Sequence, residues 1–211
     1  MQSNLHNTNK AISFLRAFRK TGYHNIVSIN PHTNDINAIT RPASSEDLER
    51  FISTNNGKNN LYFSVNEPKP DAPDKKLTKN HIGKIHGVWL DADPDKKKPF
   101  QEERERLYAF AENLKNSKNQ PTYIVDSGGG IQAFWLLKTA IEANEDRIRK
   151  YEALSRGLAK QYSTDAVQNI DRIMRIPFTL NIPNTAKIKA GRNLSPATIY
   201  WADSKTGVRY D

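Results

Sequence analysis

Apolar residues recur along most of the chain at spacings that predict helices and strands. Between about Asn9 and Lys20 they fall three or four residues apart, which predicts an amphipathic helix. The segment NIVSINPHTNDINAITR contains two short apolar runs around a Pro–Asn–Asp turn, which predicts a β-hairpin. SSEDLERFI predicts a second helix that Ser45 caps, and NLYFSVN alternates as a strand.

The second half of the sequence joins strongly apolar segments through polar ones. Residues 67–80 are rich in proline and lysine and are predicted to form an exposed loop. KIHGVWLDAD predicts a buried strand that ends in acidic residues, and PTYIVDSGGGIQAFWLL predicts a strand, a glycine turn and a strand. Helices are predicted from about Gln101 to Leu114 and from about Ile141 to Tyr162, before a β-rich C-terminal section. This interleaving favours a mixed α+β fold.

Composition narrows the kinds of site that the chain can hold. No segment approaches the roughly 20 apolar residues that cross a bilayer, so a soluble protein without a membrane partner is expected. The sequence has no cysteine, and its five histidines show no zinc-ligand spacing, so carboxylates are expected to hold any metal, as they do Mg²⁺ or Mn²⁺. The formal net charge of +9 suits a nucleic-acid partner, although an ordinary lysine-rich protein has the same balance.

An acidic pair follows the apolar strand. Side chains two residues apart in a strand point the same way, so Asp91 and Asp93 are predicted to project from one face. Two carboxylates at a strand end can hold the divalent cations that phosphoryl or nucleotidyl transfer needs. With Asp95 and Glu102, the segment also resembles a calcium-binding loop, but Lys96 stands where glycine is required and the context is a strand. An acidic turn without a metal is the plain alternative.

Two later segments contain residue types that bind phosphate. Ser127 opens a turn of three glycines that permits close approach of a phosphate, and Gln132 adds an amide, although an ordinary glycine hairpin has the same pattern. The segment STDAVQNIDRIMRIPFTLNIPN contains two further acids, Asp165 and Asp171. Basic residues whose charge suits phosphate contacts follow them: Arg172, Arg175 and Lys187.

In this order the segments resemble the archaeo-eukaryotic primase superfamily, especially the primase-polymerase domains of phage and plasmid replication proteins. The acidic pair, the small-residue turn with its polar residue, a third acid and IDRIMRIPFTLNIPN match that family over about residues 10–203. Two positions depart from it. Phe178 stands where the family usually has glycine, and Gln132 stands where many members have histidine.

The resemblance implies an α+β fold with an RRM-like antiparallel sheet core of the archaeo-eukaryotic primase type and an N-terminal α/β subdomain. Accordingly, residues 1–8 are predicted to be a disordered tail, residues 9–80 the N-terminal α/β unit and residues 81–211 the RRM-like catalytic core. The resemblance also implies a protein of the cytoplasm of a bacterium or phage-infected host. Its expected partners are a single-stranded DNA template, nucleoside triphosphates and a helicase domain or protein.

The resemblance further implies a DNA primase or polymerase that performs template-directed nucleotidyl transfer with two Mg²⁺ or Mn²⁺ ions and without zinc. Asp91, Asp93 and Asp165 would be the catalytic, metal-binding acids, and Asp171 is the alternative third ligand. A replication-initiator module that binds DNA without catalysis and a metal-dependent nuclease remain open, because paired carboxylates also serve hydrolysis. The residues expected beside the nucleotide are Ser127, Gly128, Gly129, Gly130, Gln132, Arg172, Arg175 and Lys187.

Overall fold

The structure, a computed structural model, describes residues 6–203 and 209–211 and consists of helices packed on antiparallel sheets. The helices of this part of the chain are α1 (Thr8–Phe18), α2 (Glu46–Asn55), α3 (Phe100–Lys115), α4 (Glu145–Gln161) and α5 (Thr185–Lys189). The strands are β1 (Tyr23–Ile29), β2 (Ile36–Pro42), β3 (Asn60–Ser64), β4 (Glu67–Pro68), β5 (Ile82–Ala92), β6 (Tyr123–Asp126), β7 (Ile131–Glu142), β8 (Ile173–Arg175), β9 (Leu180–Asn181), β10 (Ser195–Pro196) and β11 (Thr198–Ala202). None of these helices is both long and apolar enough to cross a bilayer. The predicted α+β class is confirmed.

Two antiparallel sheets form the framework. The first has the strand order β2-β1-β3-β8, and the second has the order β11-β6-β7-β5-β4. In the second sheet, the end of β5 pairs with the start of β7, so Asp91 lies opposite Gln132 and Ala92 lies opposite Ile131. This register brings the acidic segment beside the glycine turn that joins β6 to β7.

The first sheet combines three strands from the N-terminal half of the sequence with one strand, β8, from the C-terminal half. β8 pairs with β3, with Tyr62 opposite Arg175 and Ser64 opposite Ile173. The division of the chain near residue 80 stays a prediction, and this pairing crosses it. Because β8 belongs to the first sheet, the arginine segment lies where the two sheets meet.

Aromatic packing holds α1 against both sheets. The Phe18 ring lies 4.9 Å from that of Phe63 on β3 and 5.4 Å from that of Phe134 on β7, both edge-on. Edge-to-face pairs of this kind stabilise a core beyond the apolar area that they bury. The tryptophans of β5 and β7 are buried too, and the indole of Trp89 donates to Val167 O at 2.7 Å. That bond fixes the loop after α4 against the sheet.

Three predicted boundaries differ from the structure. The exposed loop predicted over residues 67–80 begins only after Pro68, because Glu67 and Pro68 are buried in β4 and pair with β5. The helix predicted from Ile141 begins only at Glu145, because β7 continues to Glu142, which pairs with Lys84. Asn144 then caps α4. Most of the predicted disordered tail, residues 1–5, lies outside the described residues, whereas Asn7 within it caps α1.

Candidate active site

Three of the predicted acids meet where β5 ends. Asp91 is the penultimate residue of the strand and is only 8% exposed, whereas Asp93 is exposed just beyond it. Asp165, in the loop after α4, is attached to the strand end at two points. Its backbone N donates to Asp91 O, and its Oδ2 accepts from Asp93 N, both at 3.3 Å. Asp171, the alternative third ligand, is partly buried, and its Oδ1 has no hydrogen-bond partner among the described residues.

The carboxylate of Asp91 already has two protein partners. Its Oδ2 accepts from Arg172 Nη2 at 3.1 Å, and its Oδ1 accepts from Gln132 Nε2 at 3.4 Å. Burial raises the pKa of Asp91 to about 6, with the charge of Asp93 adding to the rise and Arg172 opposing it. Asp91 is therefore a buried anion that a nearby cation stabilises.

Gln132 connects the two sheets behind the acids. It is 5% exposed, and its Oε1 accepts from the backbone N of Arg175 at 3.1 Å while its Nε2 donates to Asp91. An amide donates and accepts at the same time and stays neutral, so Gln132 serves both partners without adding charge to the site. Both ends of the side chain are engaged inside the protein. Its contact with a nucleotide stays a prediction.

The glycine turn lies against the acids for a steric reason. A Cβ on Gly130 would lie 2.6 Å from Ala92 O and 2.9 Å from Asp93 Oδ1, so only glycine permits this approach. Gly128 has a φ of +77°, in the left-handed region that favours glycine. The Ser127 hydroxyl accepts from Gly130 N at 2.9 Å and donates to Gly130 O at 3.0 Å. The hydroxyl thus closes the turn, and its role toward a nucleotide stays a prediction.

Side chains that the sequence analysis missed hold this turn in place. Asp126 accepts from Gly128 N at 2.8 Å through Oδ1 and from Arg104 at 2.6 Å through Oδ2. Asn181 Nδ2 donates to Ser127 O at 2.9 Å. An acid directly before a Ser-Gly turn is a local signal for the first of these contacts. The other two need long-range pairing that no local pattern indicates.

Arg175 is held inside the junction of the sheets. It is 4% exposed, and its guanidinium lies 4.6 Å above the Tyr62 ring. Its terminal nitrogens donate to four protein oxygens, those of Asn60, Leu180, Tyr62 and Asn181. These contacts favour a structural role for this arginine, and a contact with phosphate stays a prediction.

Two other cations lie near the acids and the glycine turn. Lys187 is on α5, and partial burial together with the neighbouring charge of Arg192 lowers its pKa. The carboxylate of Asp93 acts in the opposite direction, so this lysine lies within electrostatic reach of the acids. Arg192 Nη1 would lie only 3.3 Å from a Cβ on Gly129. The turn is therefore bordered by positive charge.

Two clefts open on either side of the lysine-rich segment 94–98. The larger has a volume of about 640 Å³, and both Asp93 and Asp165 line it. The smaller, of about 360 Å³, is lined by Lys187 and Arg192 among others. Lysines of the same segment line both clefts. Asp93 and Asp165 thus face a space large enough for a nucleotide, and lysines lie beside it.

The acids fit divalent cations only after they exchange partners. Within residues 6–203 and 209–211, no three His, Cys, Asp or Glu side chains form a ready group of metal ligands. In the structure Asp91 is paired with Arg172, and Asp165 Oδ2 is bonded to the backbone of Asp93. Their oxygens are nevertheless the hard donors that Mg²⁺ and Mn²⁺ prefer, and Asp93 and Asp165 reach solvent. The donor set therefore suits these ions.

Comparisons with known proteins agree on the fold. No protein-family model and no curated protein matches the sequence. The AEP domain of the cyanophage S-2L primase-polymerase superimposes with a TM-score of 0.64 at 18% identity, over 98% of this chain and 95% of that one. Primase RepB' gives 0.57 at 13% identity, over 95% of this chain and 58% of that one. The catalytic domain of RepB' in complex with initiator DNA gives 0.56 at 14% identity, over 94% and 87% of the two chains. The chain therefore has the fold of an archaeo-eukaryotic primase-type domain.

Proposed function

We propose that this chain is the catalytic domain of a primase-polymerase, which adds nucleotides from nucleoside triphosphates to a strand paired with a DNA template. The observation that supports this most directly is the meeting of Asp91, Asp93 and Asp165 at the end of β5, beside the glycine turn. The solved neighbours of the same fold are a primase-polymerase and a primase, and one of them was crystallised with initiator DNA.

Asp91, Asp93 and Asp165 would hold two divalent cations, Mg²⁺ or Mn²⁺, through their carboxylate oxygens. When bound, such ions lower the pKa of an attacking 3′-hydroxyl and offset the charge of the triphosphate. The protein itself positions the carboxylates and the glycine turn. Gln132 orients Asp91 through its amide, and the absence of a side chain at Gly130 lets the turn lie against Asp93.

Basic side chains on two sides of the acids suit different parts of the substrate. Arg192 lies beside the glycine turn and Lys187 lies within electrostatic reach of Asp93, so both suit a triphosphate bound between the turn and the acids. The exposed lysines Lys96–Lys98 carry charge that suits the phosphodiester backbone of the template. A helicase domain or protein is a proposed further partner.

A binding module without catalysis is the second candidate, and one observation favours it. Both oxygens of Asp91 are engaged by Arg172 and Gln132, so the acid that a catalytic metal needs is already neutralised. A module of this kind would bind DNA and leave a primer unextended.

Primer extension separates the two candidates. The assay follows a labelled primer on a DNA template with nucleotides and Mg²⁺ or Mn²⁺, for the wild type and for the double variant Asp91→Asn with Asp93→Asn. The wild type is expected to extend the primer, and the double variant to lose extension while it still binds the template. Asp146→Asn makes the same chemical change on the exposed first turn of α4 and should leave extension unchanged. Extension by the double variant would exclude the proposed metal ligands, and binding without extension by the wild type would favour the module.

A further inference from the structure

We propose that Arg172 holds the Asp91 carboxylate when no divalent cation is bound, and that cation binding releases this arginine to the phosphates of the incoming nucleotide. This inference rests on the proposed function. It assigns to Arg172 a positioning role that couples the cation to the nucleotide.

The exposure of the two partners indicates which one moves. The Asp91 side chain is 11% exposed and lies at the end of a central strand, whereas the Arg172 side chain is 37% exposed. The arginine can leave the pair for solvent or for a ligand. The aspartate stays in place, so a departing arginine must be replaced by another cation.

The guanidinium of Arg172 is held by few bonds. Its Nη2 donates to Asp91, whereas its buried Nε has no hydrogen-bond partner among the described residues. Arg175, three residues on, differs because its guanidinium donates to four protein oxygens. The contrast marks Arg175 as fixed and Arg172 as exchangeable.

The backbone at Arg172 is fixed even though its guanidinium is not. Its N donates to Asn169 O at 2.8 Å, and its O accepts from Val65 N at 3.2 Å, directly before β8. A long side chain on a fixed backbone reaches a limited set of positions, and these lie around Asp91. The released guanidinium therefore stays near the acids, where nucleotide phosphates would provide a bidentate partner.

Electrostatic competition for Asp91 couples the binding of the cation to the binding of the nucleotide. A divalent cation on Asp91 replaces the positive charge of Arg172 and repels it, so the two compete for the same carboxylate. Once released, the arginine adds to the attraction for phosphate. Cation and nucleotide then strengthen each other's binding by the same factor.

The test measures Mn²⁺ binding without nucleotide, by electron paramagnetic resonance, for the wild type, Arg172→Gln and Arg172→Lys. Loss of the competing guanidinium should make Arg172→Gln bind Mn²⁺ about five- to tenfold more tightly. Arg172→Lys keeps the charge and should stay near the wild-type affinity. Arg156→Gln, on the exposed face of α4, removes the same charge elsewhere and should change nothing. A variant that is merely destabilised would not gain Mn²⁺ affinity.

A second measurement follows a non-hydrolysable nucleoside triphosphate analogue with and without Mn²⁺. The factor by which Mn²⁺ tightens analogue binding should fall several-fold in Arg172→Gln. Thermal denaturation should also show a larger Mn²⁺-induced rise in Tm for this variant than for the wild type, because its Asp91 lacks a counter-ion until Mn²⁺ binds.

The outcomes separate this inference from the proposed function. If Asp91→Asn loses Mn²⁺ but Arg172→Gln binds it no more tightly than the wild type, the exchange is wrong and the metal site stands. If the wild type binds no Mn²⁺, or if Asp91→Asn binds Mn²⁺ as tightly as the wild type does, the metal site and the exchange both fail.

Discussion

Gly130→Ala tests whether the close approach of the glycine turn to the acids matters. The added Cβ would lie 2.6 Å from the carbonyl oxygen of Ala92, which is 0.8 Å short of an ordinary contact of 3.4 Å, and 2.9 Å from Asp93 Oδ1. The carboxylate can rotate away, but the backbone oxygen is fixed by the pairing of β5 with β7. The end of the strand and the turn must therefore separate.

The expected cost follows from that displacement. Overpacking of this kind destabilises a protein by about 1–3 kcal/mol. Displacing catalytic groups by nearly 1 Å lowers kcat by about 10- to 100-fold. Urea denaturation measures the first effect, and primer extension with Mn²⁺ measures the second.

Gly157→Ala is the matched control for this substitution. Gly157 is exposed within α4, and a Cβ there would meet nothing within 4 Å. The same added methyl group should stabilise the protein there by about 0.5–1 kcal/mol, because alanine favours a helix more than glycine does. If Gly130→Ala proves as stable and as active as the wild type, the steric argument for the turn is refuted.

Three further predictions concern strain, pH and salt. Phe178 has a φ of +65°, so Phe178→Gly, which relieves the strained backbone, should be about 1 kcal/mol more stable in urea than Phe178→Ala, which keeps it; equal stabilities would contradict strain at this position. Burial raises the pKa of Asp91 to about 6 in the folded protein. As the pH rises, the unfolded chain therefore loses this proton at a lower pH than the folded protein does. Metal-free stability should therefore fall from about pH 4 to pH 6 and then level off. Asp91→Asn should remove that fall in urea titrations with chelator, and an unchanged profile would count against the assignment. Replacing Lys96–Lys98 with alanine should reduce the magnitude of the slope of log K against log salt for single-stranded DNA by about 2; an unchanged slope would remove this segment from the template surface.

Local patterns in the sequence predict those elements that local interactions determine. The spacing of apolar residues gives α1 and α3 to within one or two residues, and Ser45 caps α2 as its position predicts. The start of α4 is predicted wrongly because the end of β7 also fits a helical spacing. Pairing with the distant strand β5, which places Ile141 opposite Ile85 and Glu142 opposite Lys84, keeps this segment extended.

In the candidate site, too, local motifs predict some residues, whereas other features depend on contacts between distant segments. The order of motifs predicts Asp91 and Asp93 as site residues, and the resemblance to a family adds Asp165. The occupation of Asp91 by Arg172 and Gln132 depends on how the two sheets meet, which no single segment determines. The resemblance groups Arg172 with Arg175 as residues beside the nucleotide, whereas their burial and hydrogen bonds distinguish them.

The most direct test of the central claim is a crystal structure of the protein with Mn²⁺ and a non-hydrolysable nucleoside triphosphate analogue, with Mn²⁺ located by its anomalous scattering. The account predicts Mn²⁺ coordinated by carboxylate oxygens of Asp91, Asp93 and Asp165, with the triphosphate beside the glycine turn. Mn²⁺ bound elsewhere, or an Asp165 carboxylate directed away from the ions, would contradict it.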